Sequence, residues 1–135
     1  GGAVNGSATS SYRVDRMGNP TLVSGSVPTQ QTAACWVVVT KGGKYAYVTN
    51  AGSESLSLYE VDSNGALTLV NSRAGETGAG TGPTDAAVNR NGRFVYALSP
   101  GSQTVVGFAV QADGMLTMVG SFAGLPANAA GIAAW

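Results

Sequence analysis

Two acidic residues are the candidates for acid–base catalysis in this chain. Asp85 lies in "GPTDAAV", just before a short apolar run, and Glu76 lies in the glycine-rich stretch "GETGAGTG". The chain contains no histidine, the commonest general base, so a carboxylate is the remaining candidate for that role. Asp85 could orient a water molecule or act as a base beside a carbonyl group, and Glu76 could be a mobile acid. We favour the competing structural interpretation, in which Asp85 caps backbone amides and Glu76 is a solvated loop carboxylate.

Neutral polar and aromatic residues are the candidates for ligand binding. They are Trp36, Asn50, Thr84 and Ser99. Trp36 could stack on a ligand, although wedging between packed elements is the role that we favour. Cys35 would be a nucleophile only if its thiolate were stabilised, and the chain offers no histidine for that purpose. We therefore expect Cys35 to pack as a small apolar residue.

The composition argues against several classes of partner and site. Seven basic residues balance seven acidic ones without a basic stripe, which speaks against a nucleic-acid partner. No apolar run approaches the roughly 20 residues that span a bilayer, so we expect no membrane partner. With one cysteine and no histidine, we expect neither a metal nor a cofactor. The stretch "GETGAGTG" also lacks the Lys-Ser/Thr ending of a phosphate-binding loop, so we do not assign a nucleotide site to it.

An internal repeat indicates which elements position these residues. Gly43–Val70 matches Gly92–Val119 without a gap, and Tyr12–Val23 matches Tyr59–Val70. A period of about 50 residues is typical of repeat architectures such as propellers. A β-sandwich of unrelated hairpins would not explain an ungapped match over several strands and their turns.

Each repeat reads as four short strands. In the first full unit they are Trp36–Val39, Tyr45–Thr49, Leu56–Val61 and Leu67–Val70. The first is a continuous apolar run, which is typical of a strand buried on both faces. Asn64-Gly65 predicts a type I′ hairpin in which both turn residues have positive φ. Four strands at this period describe the blade of an all-β propeller.

The chain therefore divides into two full blades of four antiparallel strands and partial blades at both ends. Residues 1–33 form the end of one blade, 34–82 and 83–125 are the full blades, and 126–135 begin a following or closing blade. We expect Gly131–Trp135 to be the first strand of that last blade. In such blades the loop after strand four and the loop between strands two and three share one rim. The candidate residues on that rim are Trp36, Asn50, Glu76, Thr84, Asp85 and Ser99.

Three segments carry a resemblance to a known family. "ACWVVVTKGGKYAYVTNAGS", "GPTDAAVNRNGRFVYAL" and "GLPANAAGIAA" resemble the C-terminal portion of the seven-bladed lactonase-family propellers, relatives of 6-phosphogluconolactonase and of carboxymuconate-lactonising enzyme. The resemblance implies a lactone site on the top face near the central channel. Family members there carry Arg-His after Gly-Pro and a Glu after the second strand. Here Thr84 and Asp85 follow Gly-Pro, and the second strands end in Asn50 and Ser99 without a Glu.

Two functions remain open at this point. The resemblance implies a lactonase-like hydrolase that opens a small lactone ester, with a lactone or sugar-derived compound as ligand. The departures at Thr84 and Asp85 favour the alternative, a non-catalytic propeller used as a ligand-binding or protein-interaction scaffold. The incomplete blades predict a homo-oligomer or a partner chain that completes the propeller, because sheet edges are rarely left open. The low content of charged residues is compatible with an exported protein, so a periplasmic or extracellular location is slightly favoured over a cytoplasmic one.

Overall fold

The computed structural model describes residues 6–135, so residues 1–5 of the predicted N-terminal unit lie outside the described residues. The described chain forms three antiparallel sheets, of two, four and four strands, and one 3-10 turn at Pro100–Ser102. The prediction of an all-β partial propeller is confirmed. The strands are β1 (Ala8–Val14), β2 (Pro20–Pro28), β3 (Ala34–Val39), β4 (Tyr45–Asn50), β5 (Ser55–Val61), β6 (Leu67–Glu76), β7 (Asp85–Val88), β8 (Phe94–Ser99), β9 (Thr104–Val110) and β10 (Leu116–Ala123).

The strands of each full sheet follow one another in chain order. One sheet runs β3-β4-β5-β6 and the other runs β7-β8-β9-β10. The first strand of each sheet is innermost, since β3 of one sheet packs beside β7 of the next. The pair β1-β2 corresponds to the third and fourth strands of a blade. The predicted two full blades and N-terminal partial blade are therefore present.

The outer hairpins differ from the predicted type I′ turn. Gly65 has φ +87°, but Asn64 has no positive φ. The Gly65 amide donates to the Asp62 carbonyl at 2.9 Å, and the Asp62 carboxylate accepts from the amides of Asn64 and Ala66. This is a turn whose last residue alone is left-handed, and Gly114 with φ +84° repeats it in the next blade. The glycine prediction is confirmed, whereas the turn type was wrong because the Asp62 side chain stabilises a different turn.

The main core lies between the two full blades. Tyr47, Leu56 and Leu58 of one blade pack with Val95 and Phe108 of the other, and all five side chains are buried. The Tyr47 hydroxyl donates to the Gly114 carbonyl at 2.7 Å, which joins the second strand of one blade to the outer turn of the next. Apolar packing and this buried hydrogen bond together hold the two blades side by side.

The prediction that the first strand is buried on both faces is wrong for β3. Trp36, Val37 and Val39 are 52%, 47% and 52% exposed. Strand β3 pairs with β4 and packs beside β7, while the two-stranded sheet β1-β2 packs through Val27 against β4 and β5. Among residues 6–135, no inner strand of a preceding blade lies beside β3. The first strand β7, which packs against β3, does bury Ala86 and Ala87. Burial of an inner strand thus depends on the neighbouring inner strands and not on its own apolar run.

Two further strand predictions need correction. Strand β6 continues beyond the predicted Val70 to Glu76, because the later residues keep pairing with β5, with Leu56 opposite Gly75. Gly131–Trp135 forms no strand. A first strand pairs with the second strand of its own blade, and no such strand lies beside this segment among residues 6–135.

Candidate functional site

The top rim is the end of the blades where strand two ends and where the chain crosses to the next blade. Three crossings begin with the same hydrogen bond from an amide to the carbonyl that precedes strand three. Thr29 donates to Ser7 at 2.9 Å and Thr77 donates to Glu54 at 2.9 Å. Leu125 donates to Gln103 at 3.1 Å, so residues after β10 start a third crossing of the same kind.

Asp85 is the first residue of the inner strand β7 and lies at this rim. Its carboxylate is buried, with 8% of the residue exposed. One carboxylate oxygen accepts from the Ala86 amide at 2.7 Å, and the other accepts from the Ile132 amide at 3.0 Å. Asp85 therefore caps backbone amides, as we favoured from the sequence, and it has no ion-pair partner within the described part of the chain. The contact with Ile132 was not foreseen, since no pattern links residues so far apart in sequence.

Glu76 is not a loop residue, contrary to the prediction. It is the last residue of the outermost strand β6, opposite Ser55, and its carboxylate accepts from the Arg73 side chain at 3.0 Å. The pair is exposed, so it contributes little to stability. Strands in a sheet lie about 4.8 Å apart, which places the outermost strand roughly 14 Å from the innermost. The structure thus puts Glu76 on the outer part of the blade and Asp85 on the inner part.

Asn50 and Ser99 occupy equivalent positions at the ends of β4 and β8, and both are fully buried. The Asn50 amide nitrogen donates to the Ser57 hydroxyl at 2.9 Å. The Asn50 side-chain oxygen and the Ser99 hydroxyl have no partner among the described residues. Both side chains therefore lie beneath the rim surface, and a ligand would reach them only after the loops above them moved.

Trp36 and Thr84 are exposed at the rim. Trp36 holds the position in β3 that Asp85 holds in β7, because Val37 pairs with Val48 as Ala86 pairs with Ala97 in the repeat. This equivalence confirms the predicted inner position of Trp36, whose amide donates to the Thr49 hydroxyl at 3.0 Å. Beside it lies a cavity of about 200 Å³ that extends to Ala8, Thr9 and Ser10.

Cys35 also lines this cavity and is exposed, so the prediction that it packs was wrong. The reason is again the uncovered face of β3. No group of three or more His, Cys, Asp or Glu side chains within residues 6–135 is placed to hold a metal ion. In the same range of residues, no helix has the length and apolar character needed to cross a bilayer.

Two tyrosines buried between blades have raised pKa values. Burial raises the pKa of Tyr47 well above its ordinary value, and the nearby Tyr45 and Asp113 raise it further. Burial likewise raises the pKa of Tyr59, whose hydroxyl donates to the Val27 carbonyl at 3.2 Å. Both hydroxyls donate to carbonyl groups of a neighbouring blade. The candidate groups at the rim are the Asp85 carboxylate, the Thr84 hydroxyl and the exposed Trp36 ring.

Solved structures share this fold. A functionally unknown protein from Desulfotomaculum acetoxidans is 25% identical with a TM-score of 0.71, and the match covers 84% of this chain and 34% of that one. The periplasmic gluconolactonase of Pseudomonas aeruginosa is 19% identical with a TM-score of 0.66, covering 91% and 37%. A proposed 6-phosphogluconolactonase from Bacteroides uniformis is 20% identical with a TM-score of 0.65, covering 83% and 35%. No curated protein matches the chain.

The chain spans about a third of the length of these structures. The family described as "Lactonase, 7-bladed beta-propeller" matches residues 6–132. That match covers both full blades, the partial blade before them and the third crossing. The chain belongs to the lactonase family of seven-bladed β-propellers.

Proposed function

We propose that the protein to which this chain contributes hydrolyses a small lactone at the top rim. The observation that carries the proposal is family membership over residues 6–132 together with a carboxylate, Asp85, at the inner end of a blade. A sugar-derived lactone is the ligand class we favour, because a gluconolactonase is among the similar structures. The same protein is described as periplasmic, which supports our proposal of an exported location.

The reaction needs a base, a water molecule and a polarised ester. In the proposed mechanism the Asp85 carboxylate takes a proton from water while the water oxygen attacks the lactone carbonyl. The tetrahedral intermediate then breaks the ring carbon–oxygen bond as the protonated Asp85 gives its proton to the ring oxygen, which leaves as a hydroxyl and regenerates the carboxylate. The product is an open-chain hydroxy acid. Thr84, adjacent and exposed, would hydrogen-bond the ligand, and the exposed Trp36 ring would contact an apolar sugar face.

Asn50, Ser99 and Glu76 would have indirect parts in this proposal. Asn50 and Ser99 are buried beneath the rim, so they would shape the loops that carry the ligand. Glu76 is held by Arg73 on the outer strand, and as a second acid it would first have to leave that ion pair.

The alternative is a non-catalytic propeller that binds a ligand or a protein. It is favoured by a specific observation: both oxygens of the Asp85 carboxylate already accept hydrogen bonds from backbone amides. A bound lactone that is never hydrolysed would support this second function.

An assay of glucono-δ-lactone opening by the purified chain and its Asp85→Asn variant separates the two functions. We expect slow turnover that the variant reduces by about 100-fold or more, which is the usual contribution of a general base. Glu60→Gln is a control that also neutralises one carboxylate, in this case an exposed one that lies in β5 away from the rim. Turnover unchanged in Asp85→Asn would contradict the role of this residue, and binding without turnover would favour the scaffold.

A further inference from the structure

The crossing between β6 and β7, residues 77–84, leads directly to Asp85 at the top rim. We call it the second crossing. It begins on the blade that it leaves, where the Thr77 amide and the Thr77 hydroxyl both donate to the Glu54 carbonyl, each at 2.9 Å. Glu54 is the residue that precedes the third strand of that blade, so the start of the crossing is fixed beside β5.

The second crossing also contacts the next blade, at the turn that follows β8. The Gly101 amide donates to the Thr81 carbonyl at 3.1 Å. A Cβ on Gly101 would stand 2.5 Å from the Gly80 carbonyl oxygen, so only glycine allows the crossing to lie this close. The second crossing therefore lies over the seam between the two full blades and is hydrogen-bonded on both sides of it.

The second crossing is one residue longer than the first, which joins β2 to β3 over residues 29–33. The two crossings match where they meet the next blade, because the Gly52 amide donates to the Thr32 carbonyl at 3.1 Å, as Gly101 does in the repeat. Two residues separate the threonines at positions 29 and 32, whereas three separate those at positions 77 and 81. The additional residue thus belongs to the stretch Gly78–Gly80, which is exposed.

The Glu54 side chain holds this longer stretch. One of its carboxylate oxygens accepts from the Gly80 amide. The equivalent residue of the first crossing is Ser7, whose hydroxyl accepts instead from the Ala34 amide at 3.0 Å. A carboxylate therefore stands where the crossing is longer, and Glu54 bonds both the start and the tip of that crossing.

The next blade shows which part of this arrangement is specific to Glu54. Gln103 is the equivalent residue, and both have a left-handed backbone, with φ +56° at Glu54 and +55° at Gln103. The Gln103 carbonyl also accepts the first amide of a crossing, that of Leu125. Within residues 6–135, however, the Gln103 side chain makes no hydrogen bond. The backbone conformation thus belongs to the blade, and the bond to the crossing tip belongs to the Glu54 carboxylate.

The chain between Gly80 and the rim has little freedom. Pro83 is fully buried, and the Thr84 amide donates to the Leu98 carbonyl at 3.1 Å. The Thr84 side chain is at the exposed surface of the rim. Because only three residues separate Gly80 from Thr84, a displacement at Gly80 is passed on to Thr84.

We propose that Glu54 is a positioning residue of the top rim, whose carboxylate fixes the second crossing and so places the Thr84 hydroxyl for contact with a ligand. The inference rests on the proposed function for the identity of that ligand, whereas the anchoring of the crossing does not depend on catalysis. Asp85 makes its own hydrogen bonds to Ala86 and Ile132 without Glu54. Loss of the Glu54 carboxylate should therefore weaken ligand binding and leave the chemical step unchanged.

Hydrogen exchange of the full 135-residue chain tests the anchor without an activity readout. In Glu54→Ala the Gly80 amide should exchange about tenfold faster, the factor that corresponds to loss of about 1.4 kcal/mol. The Thr84 amide should exchange at least about threefold faster, because the crossing opens locally. Glu54→Gln should retain part of the protection at both amides, since its side-chain oxygen still accepts. Gln103→Ala is the matched control, and it should leave both amides unchanged because it removes an unbonded side chain from the same backbone conformation.

Unchanged exchange at Gly80 or at Thr84 in Glu54→Ala would overturn the proposal. Equal acceleration at the buried Leu58 amide would also overturn it, since that result means general destabilisation.

The lactone assay adds a readout that a purely structural role would not move. With glucono-δ-lactone, Glu54→Ala should raise KM about fivefold at unchanged kcat, because it removes ligand binding and not the reacting groups, and Glu54→Gln should restore part of the loss. A lower kcat at unchanged KM would contradict the positioning role. Faster exchange at Gly80 and Thr84 in a chain without lactone turnover would uphold the anchor and contradict the lactonase function, so the two failures are distinguishable.

Discussion

Replacing Tyr47 with Phe tests the contact that joins the two full blades. The variant keeps the buried ring but removes the hydroxyl that donates to the Gly114 carbonyl at 2.7 Å. Because Gly114 is also buried, its carbonyl would lose a partner that water cannot replace without opening the interface. A buried group left unpaired costs about 1–3 kcal/mol, which we expect as the loss in free energy of unfolding. For a domain of this size that corresponds to a fall in Tm of roughly 3–15 °C.

The repeat provides matched controls for this prediction. Tyr96 is the equivalent residue of the next blade, and its hydroxyl makes no hydrogen bond among residues 6–135, so Tyr96→Phe should change stability by less than about 0.5 kcal/mol. Tyr45→Phe should fall between the two, since its hydroxyl donates to the Ala112 carbonyl at 3.1 Å in an exposed position. Urea unfolding at neutral pH, followed by circular dichroism, gives all three values. Equal losses in Tyr47→Phe and Tyr96→Phe would refute the interblade hydrogen bond as the cause.

Tyrosine ionisation, the two turn glycines and association of the chain can each be tested separately. Burial raises the pKa of Tyr47 and Tyr59, so above about pH 10 the native state keeps protons that the unfolded chain loses. The free energy of unfolding should therefore fall above that pH by up to about 1.4 kcal/mol per pH unit and per tyrosine. Urea midpoints measured across that range check this, and a flat profile would contradict it. Gly114→Ala should lower the stability in a thermal melt more than Gly65→Ala does. Both glycines have positive φ, with a common strain of about 1–2 kcal/mol, but only a Cβ at Gly114 would meet the Tyr45 ring, at 2.9 Å. Equal losses of stability would remove the steric argument. Light scattering at micromolar concentration should give a mass above that of one chain, and deletion of Gly131–Trp135 should reduce it. A folded monomer unaffected by the deletion would contradict association of two copies through this segment.

The repeat predicted the blades because hairpin strands are determined by local pairing and by turn residues a few positions apart. Tyr47 and Gly65 could be placed from the sequence for that reason. The exposure of Val37 could not, since it depends on a neighbouring inner strand and not on the residues around it. Glu76 was misplaced because its strand continues by backbone pairing, which requires no apolar alternation.

The candidate site was predicted less completely than the fold, for a related physical reason. Asp85 was placed correctly at the inner rim, and its capping role was favoured, because strand position follows from the repeat. Its second partner, Ile132, belongs to a crossing that the repeat does not cover. The equivalent residue of the other full blade is Trp36, which has no carboxylate to accept such a bond, so comparing the repeats does not reveal the contact between Ile132 and Asp85.

The two-stranded sheet β1-β2 lacks the first and second strands of a full blade, and this determines what kind of partner would complete it. In both full sheets the second strand lies between the first and the third, and β1 holds the third position of its own sheet. A second copy that inserted Gly131–Trp135 as a first strand would leave the position beside β1 empty. A segment with two paired strands, shaped like β3 and β4, would fill both positions and cover the exposed Val37 and Val39. It would remove more apolar surface from water than a single inserted strand. We therefore propose that a two-stranded segment of another chain, or of a longer form of this protein, binds here more tightly than a second copy does.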